Sequence, residues 1–123
     1  MKRILYIDDD TVSLKRMERF ISEHFPDMET VTCQDPIKAL TLIEPTLALL
    51  IIDLEMPRLD GRKLLKYAID RGVEKKKIVI LSGREADYLH EIFPMGECLC
   101  VLNKYEQAQQ KVLEMVLSSI HKK

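Results

Sequence analysis

The sequence predicts an α/β fold: five strands alternating with five helices, (βα)5, around a doubly wound parallel sheet. Three observations predict it. Short apolar runs alternate with segments whose apolar residues recur at helical spacing. The run Leu47 to Ile52 is apolar without a break, the pattern of a strand buried on both faces. Four of the strand-like runs end in polar residues: Asp8-Asp9, Asp53, Ser82 and Asn103-Lys104. Strands alternating with helices imply a parallel sheet covered on both sides, and right-handed crossovers leave few topologies. The order 2-1-3-4-5, flavodoxin-like, is the established one for five such strands, rather than one worked out from these residues.

Each element has its own signal. Ile4 to Ile7 reads as the first strand, stopped by Asp8-Asp9-Asp10. Leu14, Met17, Phe20, Ile21 and Phe25 then mark a helix. Met28 to Cys33 reads as the second strand. Asp35 followed by Pro36 is a helix start, and that helix ends before Pro45. Leu47 to Ile52 is the third strand, and a loop with Pro57 and Gly61 follows Asp53. Arg62 to Asp70 is helical with Leu64, Leu65 and Ala68 inward. Ile78 to Leu81 is the fourth strand, closed by Ser82-Gly83. Arg84 to Phe93 is a short helix stopped near Pro94, and Cys98 to Leu102 is the fifth strand. Tyr105 to Ile120 is the last helix, with Val112, Met115, Val116 and Ser119 as its inner face.

The 123 residues suit one domain, spanning 1–123. At 46% hydrophobic and 32% charged the chain is globular rather than disordered. Nineteen Lys+Arg against 20 Asp+Glu leave a net charge of −1, which speaks against direct nucleic-acid binding. The longest apolar run is too short to cross a bilayer, and the N-terminus reaches Asp8 too soon for a signal peptide. Three cysteines form no framework, and Cys33, Cys98 and Cys100 are expected to pack as small hydrophobes. A cytoplasmic location follows as the expectation.

The polar strand ends carry the chemistry. In sheets of this kind ligands bind beyond the carboxyl ends of the strands, where the strand order reverses. That point lies between strands 1 and 3, hence between Asp8-Asp9 and Asp53. Three gathered carboxylates repel one another, and a hard divalent ion with oxygen ligands relieves the conflict. A carboxylate beside such an ion can act as a nucleophile and become an aspartyl phosphate. Lys104 offers a mobile positive charge for a phosphate oxygen, and Ser82 a hydroxyl. Singly, each residue has a plainer reading. The acids at 8–10 serve equally well as helix caps. Asp53 alone is a turn residue, Ser82-Gly83 a loop, and Lys104 a solvated surface charge. Their conjunction, each after an expected strand, is what points to a site.

On these residues the chain resembles a response-regulator receiver domain over nearly its whole length. The matching parts are Ile-Leu-Tyr-Ile-Asp8-Asp9-Asp10, Leu-Ile-Ile-Asp53-Leu-Glu55-Met56-Pro57-Arg-Leu-Asp60-Gly61, Ile-Val-Ile-Leu-Ser82-Gly83 and Val101-Leu-Asn-Lys104. Asp53…Met56-Pro57…Gly61 is the most specific of them. The resemblance implies a two-component phosphorelay role. Asp53 would take a phosphoryl group from the phosphohistidine of a sensor histidine kinase or phosphotransfer protein, with Mg²⁺ (or Mn²⁺) as cofactor. Asp8, Asp9, Asp53 and the main-chain carbonyl of Glu55 would hold the ion. Ser82 would be the switch hydroxyl and Lys104 the phosphate-pairing lysine. Such a domain is no enzyme beyond its own phosphorylation and dephosphorylation. It signals to a downstream protein through the face of the fourth helix, fifth strand and fifth helix, and homodimers are compatible with that role.

Two positions depart from the family. The aromatic expected three residues before the lysine is Val101, and the proline expected after it is Tyr105. A cis peptide before a non-proline residue costs roughly 2.5–4 kcal/mol, so the bond at Tyr105 is less favoured as cis. Gly83 meets the family's need for a small residue after the hydroxyl. Output is then expected to rest on Ser82, Gly83 and Tyr105, since Val101 has few rotamers and little reach. Glu55 and Arg84, which flank the site, are expected to pair with each other in the absence of phosphate.

Two rivals stand. Asp8-Asp9-Asp10-Thr11-Val12 also fits the start of haloacid-dehalogenase-like phosphatases, with Asp8 as nucleophile and Asp10 as general acid. That reading leaves Asp53 and Met56-Pro57…Gly61 without a role, and only Glu106 and Glu114 follow Lys104 as acidic metal ligands. The other is a receiver-like interaction module that never uses phosphate. No DNA-binding or catalytic segment follows the last helix, so the chain is either a stand-alone receiver or a piece of a longer protein.

Overall fold

The structure, a computed structural model, describes residues 2–85, 88, 89, 91, 93 and 96–122. Five parallel strands, β1 (Lys2–Ile7), β2 (Met28–Cys33), β3 (Leu49–Asp53), β4 (Ile78–Ser82) and β5 (Cys100–Asn103), form one sheet in the order β2-β1-β3-β4-β5. The helices are α1 (Thr11–His24), α2 (Pro36–Ala39), α3 (Gly61–Asp70) and α4 (Gln107–Lys122), with a 3₁₀ turn at Lys75–Lys77. The fourth helix expected over 84–93 includes residues 86, 87, 90 and 92, which lie outside the described ones. Leu89 and Phe93 of that segment are buried in the core.

Strand alternation divides the core into two layers. Leu5, Ile7, Leu50, Ile52, Ile78 and Ile80 face the side of Leu64, Leu65 and Ala68 on α3. Ile4, Tyr6, Leu49, Ile51, Val79, Leu81 and Leu102 face α1 and α4, where Leu14, Ile21, Leu113 and Leu117 are buried. The central strands are buried on both faces, which explains their unbroken apolar runs.

Capping sets the helix starts. Asp10 accepts from the Val12 amide at 3.0 Å, Asp35 from Ile37 at 2.9 Å and Asp60 from Arg62 at 2.6 Å. Each cap stands just after a strand or at a loop end, so each helix starts close to the strand end that precedes it.

At their carboxyl ends β3, β4 and β5 each run one residue beyond the expected boundary, because ladder pairing extends past the apolar run. β3 includes Asp53 and β4 includes Ser82. β5 starts at Cys100 rather than Cys98. One expectation is corrected. The inner face of the last helix is Leu113, Val116, Leu117 and Ile120, not the set Val112, Met115, Val116 and Ser119; only Val116 is common to both. Val112 and Met115 are exposed, Met115 at 70%. Both stripes have helical spacing. The one holding two leucines and an isoleucine buries more apolar area and wins.

Candidate functional site

The carboxyl ends of β1, β3, β4 and β5 meet at one edge of the sheet. Asp8 follows β1, Asp53 closes β3, Ser82 closes β4 and Lys104 follows β5. Asp8 and Ser82 are fully buried, and Asp53 is 3% exposed. One carboxylate oxygen each from Asp8, Asp9 and Asp53 lies within 4.8 Å of the others. The structure thus brings together the three acids singled out from the sequence.

The approach of α3 to this edge is what Gly61 permits. A Cβ on Gly61 would stand 2.6 Å from the Asp53 carbonyl oxygen and 2.7 Å from Leu54 Cα. The Gly61 amide instead donates to the Leu54 carbonyl at 3.1 Å. The glycine in the Asp53…Gly61 segment serves close backbone packing under the acid.

Asp8 is the most heavily bonded of the acids. Its Oδ2 accepts from the Tyr6 hydroxyl at 2.5 Å and from Lys104 Nζ at 2.7 Å, and its Oδ1 from the Asp10 amide at 2.9 Å. Lys104 Nζ is 3.9 Å from Asp53 Oδ1, so it leans to Asp8 while remaining within reach of Asp53. Burial by itself would lower the Lys104 pKa; the Asp8 hydrogen bond and the two carboxylates outweigh it and raise it. Burial, with the Asp8 charge beside it, holds the Tyr6 phenol far above its usual range, so it remains a donor.

Asp53 lacks such support. Burial first, and the Asp8 charge second, push its pKa up from 3.8 to about 8, against the opposing pull of Lys104. The counter-charge within its reach, Lys104, is shared with Asp8 and does not offset the burial. The donor set is all carboxylate oxygen, with acids crowded and one of them destabilised as an anion. It fits a small hard dication and not a soft or nitrogen-liganded metal. Glu55 follows two residues after Asp53, and its side-chain carboxylate reaches the end of β4.

Ser82 and Gly83 are both committed. The Ser82 hydroxyl donates to Glu55 Oε2 at 2.6 Å, and the Gly83 amide donates to Glu55 Oε1 at 3.0 Å. The expected Glu55–Arg84 pair is therefore corrected. Glu55 is taken by two neutral donors, whereas the Arg84 guanidinium stands over the Tyr88 ring at 5.0 Å. Hydrogen bonds to fixed nearby donors outcompete an exposed ion pair with a long side chain. Tyr105 is 69% exposed, and its ring covers Gly83 so closely that a Cβ there would meet Tyr105 Cε2 at 3.2 Å. Val101 points to the opposite layer, packing with the core that holds Leu89 and Phe93. The described backbone contains no cis peptide.

Two residues have site roles that the sequence did not assign, although Asn103 stood among the polar strand ends. Tyr6 lies two residues before Asp8, hence on the same face of the strand; its signal was a lone phenol in an otherwise aliphatic run. Asn103 is buried and ties three segments together. Its Nδ2 donates to the Arg84 carbonyl at 2.9 Å, and its Oδ1 accepts from the Tyr105 and Glu106 amides.

The phosphatase reading loses its general acid here. The Asp10 carboxylate caps α1, accepting from Val12 and from the Ser13 hydroxyl at 2.8 Å. The Ser13 hydrogen bond, then that of the Val12 amide, lower its pKa, so it stays ionised and proton-free. Cys98 and Cys100 are free thiols whose burial pushes their pKa up to about 11, so neither is poised as a thiolate.

Comparison with known proteins agrees with this geometry. Residues 4–116 match the response regulator receiver domain family. The chain is 41% identical over 97 residues to a protein-glutamate methylesterase/protein-glutamine glutaminase of Yersinia pestis, covering 76% of this chain. It spans only 28% of that relative's length. Among solved structures, the response regulator receiver domain protein of Clostridium thermocellum superposes with a TM-score of 0.74 at 22% identity, covering 99% of this chain and 95% of the other. The BeF3-activated N-terminal receiver domain of Klebsiella pneumoniae RstA gives 0.76 at 21% identity, covering 99% and 100%. These two show the shared fold. With the family match covering nearly the whole chain and the acids gathered where its strand order reverses, the protein belongs to the response regulator receiver domain family. No described helix is long and apolar enough to cross a membrane.

Proposed function

We propose that Asp53 is the phosphoacceptor of this receiver, and that residues 1–123 work as one domain. The observation that carries the reading is a buried Asp53 carboxylate set between two further acids and the Lys104 ammonium. A carboxylate oxygen of Asp53 forms an O–P bond as the N–P bond of a phosphohistidine breaks. The departing ring nitrogen keeps the electron pair and takes a proton from water. The donor is a sensor kinase or phosphotransfer protein.

The acids suit Mg²⁺, with Mn²⁺ as a substitute, held by Asp8, Asp9, Asp53 and the Glu55 carbonyl. Its chemistry when bound is charge neutralisation at the carboxylates and the phosphoryl oxygens. The residues do the rest. Tyr6 and the Asp10 amide fix Asp8, and Lys104 transfers its attention from Asp8 to a phosphoryl oxygen. Burial of Asp53 keeps stray water from the acyl phosphate. Beyond phosphorylating and dephosphorylating itself the domain catalyses nothing. Output passes through Ser82, Gly83 and Tyr105 to a downstream protein or a second copy of the chain, since Val101 faces away.

The test is labelling with a small acyl-phosphate donor and Mg²⁺. One base-labile phosphoryl group is expected, and Asp53→Asn abolishes it. Equal labelling of that variant removes Asp53 as acceptor. Loss of labelling in Asp8→Asn but not in Asp53→Asn would restore the phosphatase reading.

A further inference from the structure

The Glu55 side chain does something that neither metal binding nor phosphoryl acceptance requires. Its two carboxylate oxygens occupy two donors at the end of β4, the Ser82 hydroxyl at 2.6 Å and the Gly83 amide at 3.0 Å. Ser82 is fully buried, and its oxygen accepts from the Arg84 amide at 3.0 Å. A hydroxyl has one proton to give, and this one is given to Glu55. The β3–β4 register sets Asp53 opposite Leu81, the residue before Ser82. A phosphoryl group on Asp53 would therefore bring anionic oxygens to the donors that Glu55 holds. Carboxylate and phosphoryl group are both anions with oxygen acceptors, and charge-assisted bonds of this kind are the strong ones. They compete for the same proton, and their like charges repel.

Resting on the phosphoacceptor reading of Asp53, we propose that Glu55 is a stand-in anion: it holds Ser82 and Gly83 in the unphosphorylated protein and must be displaced when Asp53 is phosphorylated. Glu55 is thus a positioning residue that sets the equilibrium of phosphoryl binding, acting through Ser82. Its displacement frees the loop after β4 against which the Tyr105 ring lies, 3.2 Å from where a Gly83 Cβ would stand. The intrinsic pull of a phosphoryl group on Ser82 is offset by the bond given up. The net switch is then smaller than the same hydroxyl would give without Glu55.

The test uses Glu55→Ala and Glu55→Gln, which keep the main-chain carbonyl. Beryllofluoride is titrated at saturating Mg²⁺, with the Ser82 and Gly83 amide resonances as readout. Glu55→Ala is expected to bind it about tenfold more tightly, the worth of one charge-assisted hydrogen bond. Glu55→Gln, which keeps an acceptor but no charge, falls between. The gain shrinks when Ser82 is also replaced by alanine, which a general loosening of the loop would not produce. In the unphosphorylated protein the Gly83 amide exchanges faster in Glu55→Ala. Equal or weaker beryllofluoride binding by Glu55→Ala, or an unchanged Gly83 exchange rate, overturns the proposal. If Asp53 is phosphorylated in wild type yet Glu55→Ala gains nothing, only the role of Glu55 falls. If neither protein takes beryllofluoride or a phosphoryl group, the phosphoacceptor reading falls, and the competition with it.

Discussion

Replacing Asp53 by asparagine is expected to stabilise the metal-free protein while abolishing phosphorylation. The carboxyl is 3% exposed, and its pKa is raised from 3.8 to about 8, chiefly by burial and then by Asp8. The folded state therefore keeps a proton that the unfolded chain releases. Its stabilising share is complete below pH ~4 and is lost as pH rises toward 8, at about 1.4 kcal/mol per pH unit. Asparagine matches the protonated form in size and has no charge to expel. At pH 7 the variant should be more stable by about 2–4 kcal/mol, the lower figure applying if Lys104 closes its 3.9 Å gap to Asp53 in wild type. Urea unfolding with chelator at pH 5, 7 and 8.5 measures this. The gain should grow with pH up to about 8 and shrink when Mg²⁺ is added, because the ion stabilises only the protein that keeps all three acids. A gain independent of pH, or Asp53→Asn less stable than wild type at pH 8, would refute the idea that Asp53 is an electrostatic burden held for function.

Other expectations can be read in the same assays. Asp9→Asn, at the more accessible acid, should weaken Mn²⁺ or Mg²⁺ binding by calorimetry without loss of metal-free stability; a clear loss would make Asp9 a structural cap. Tyr6→Phe removes a donor from a buried carboxylate, so metal-free stability should fall by about 1.5–3 kcal/mol in urea. Gly61→Ala forces a Cβ to within 2.6 Å of the Asp53 carbonyl oxygen, and should cost about 1–3 kcal/mol and slow the labelling of Asp53. Ordinary stability and labelling in that variant would mean that α3 gives way freely.

What could be read from the residues in order was whatever neighbours decide. The (βα) alternation follows from apolar period, and the helix starts at Asp10 and Asp35 follow from a side-chain oxygen reaching an amide two residues on. The parallel sheet places every strand end on one side, so acids written after strands 1 and 3 had to meet. Partner choice was different, because it is settled between residues far apart in the chain. Lys104 leaning to Asp8, and Ser82 given to Glu55 in place of an Arg84–Glu55 pair, depend on distances that no local pattern encodes. The last helix makes the same point: two stripes one residue apart have the same spacing, and only packing against α1 and the sheet selects Leu113 and Leu117. Tyr6 was visible as a residue but not as a donor, since its hydroxyl has meaning only once Asp8 is buried beside it. Short-range order is carried by steric and capping preferences within a few residues; the electrostatics of the site arise only when folding removes water from groups that the chain holds far apart.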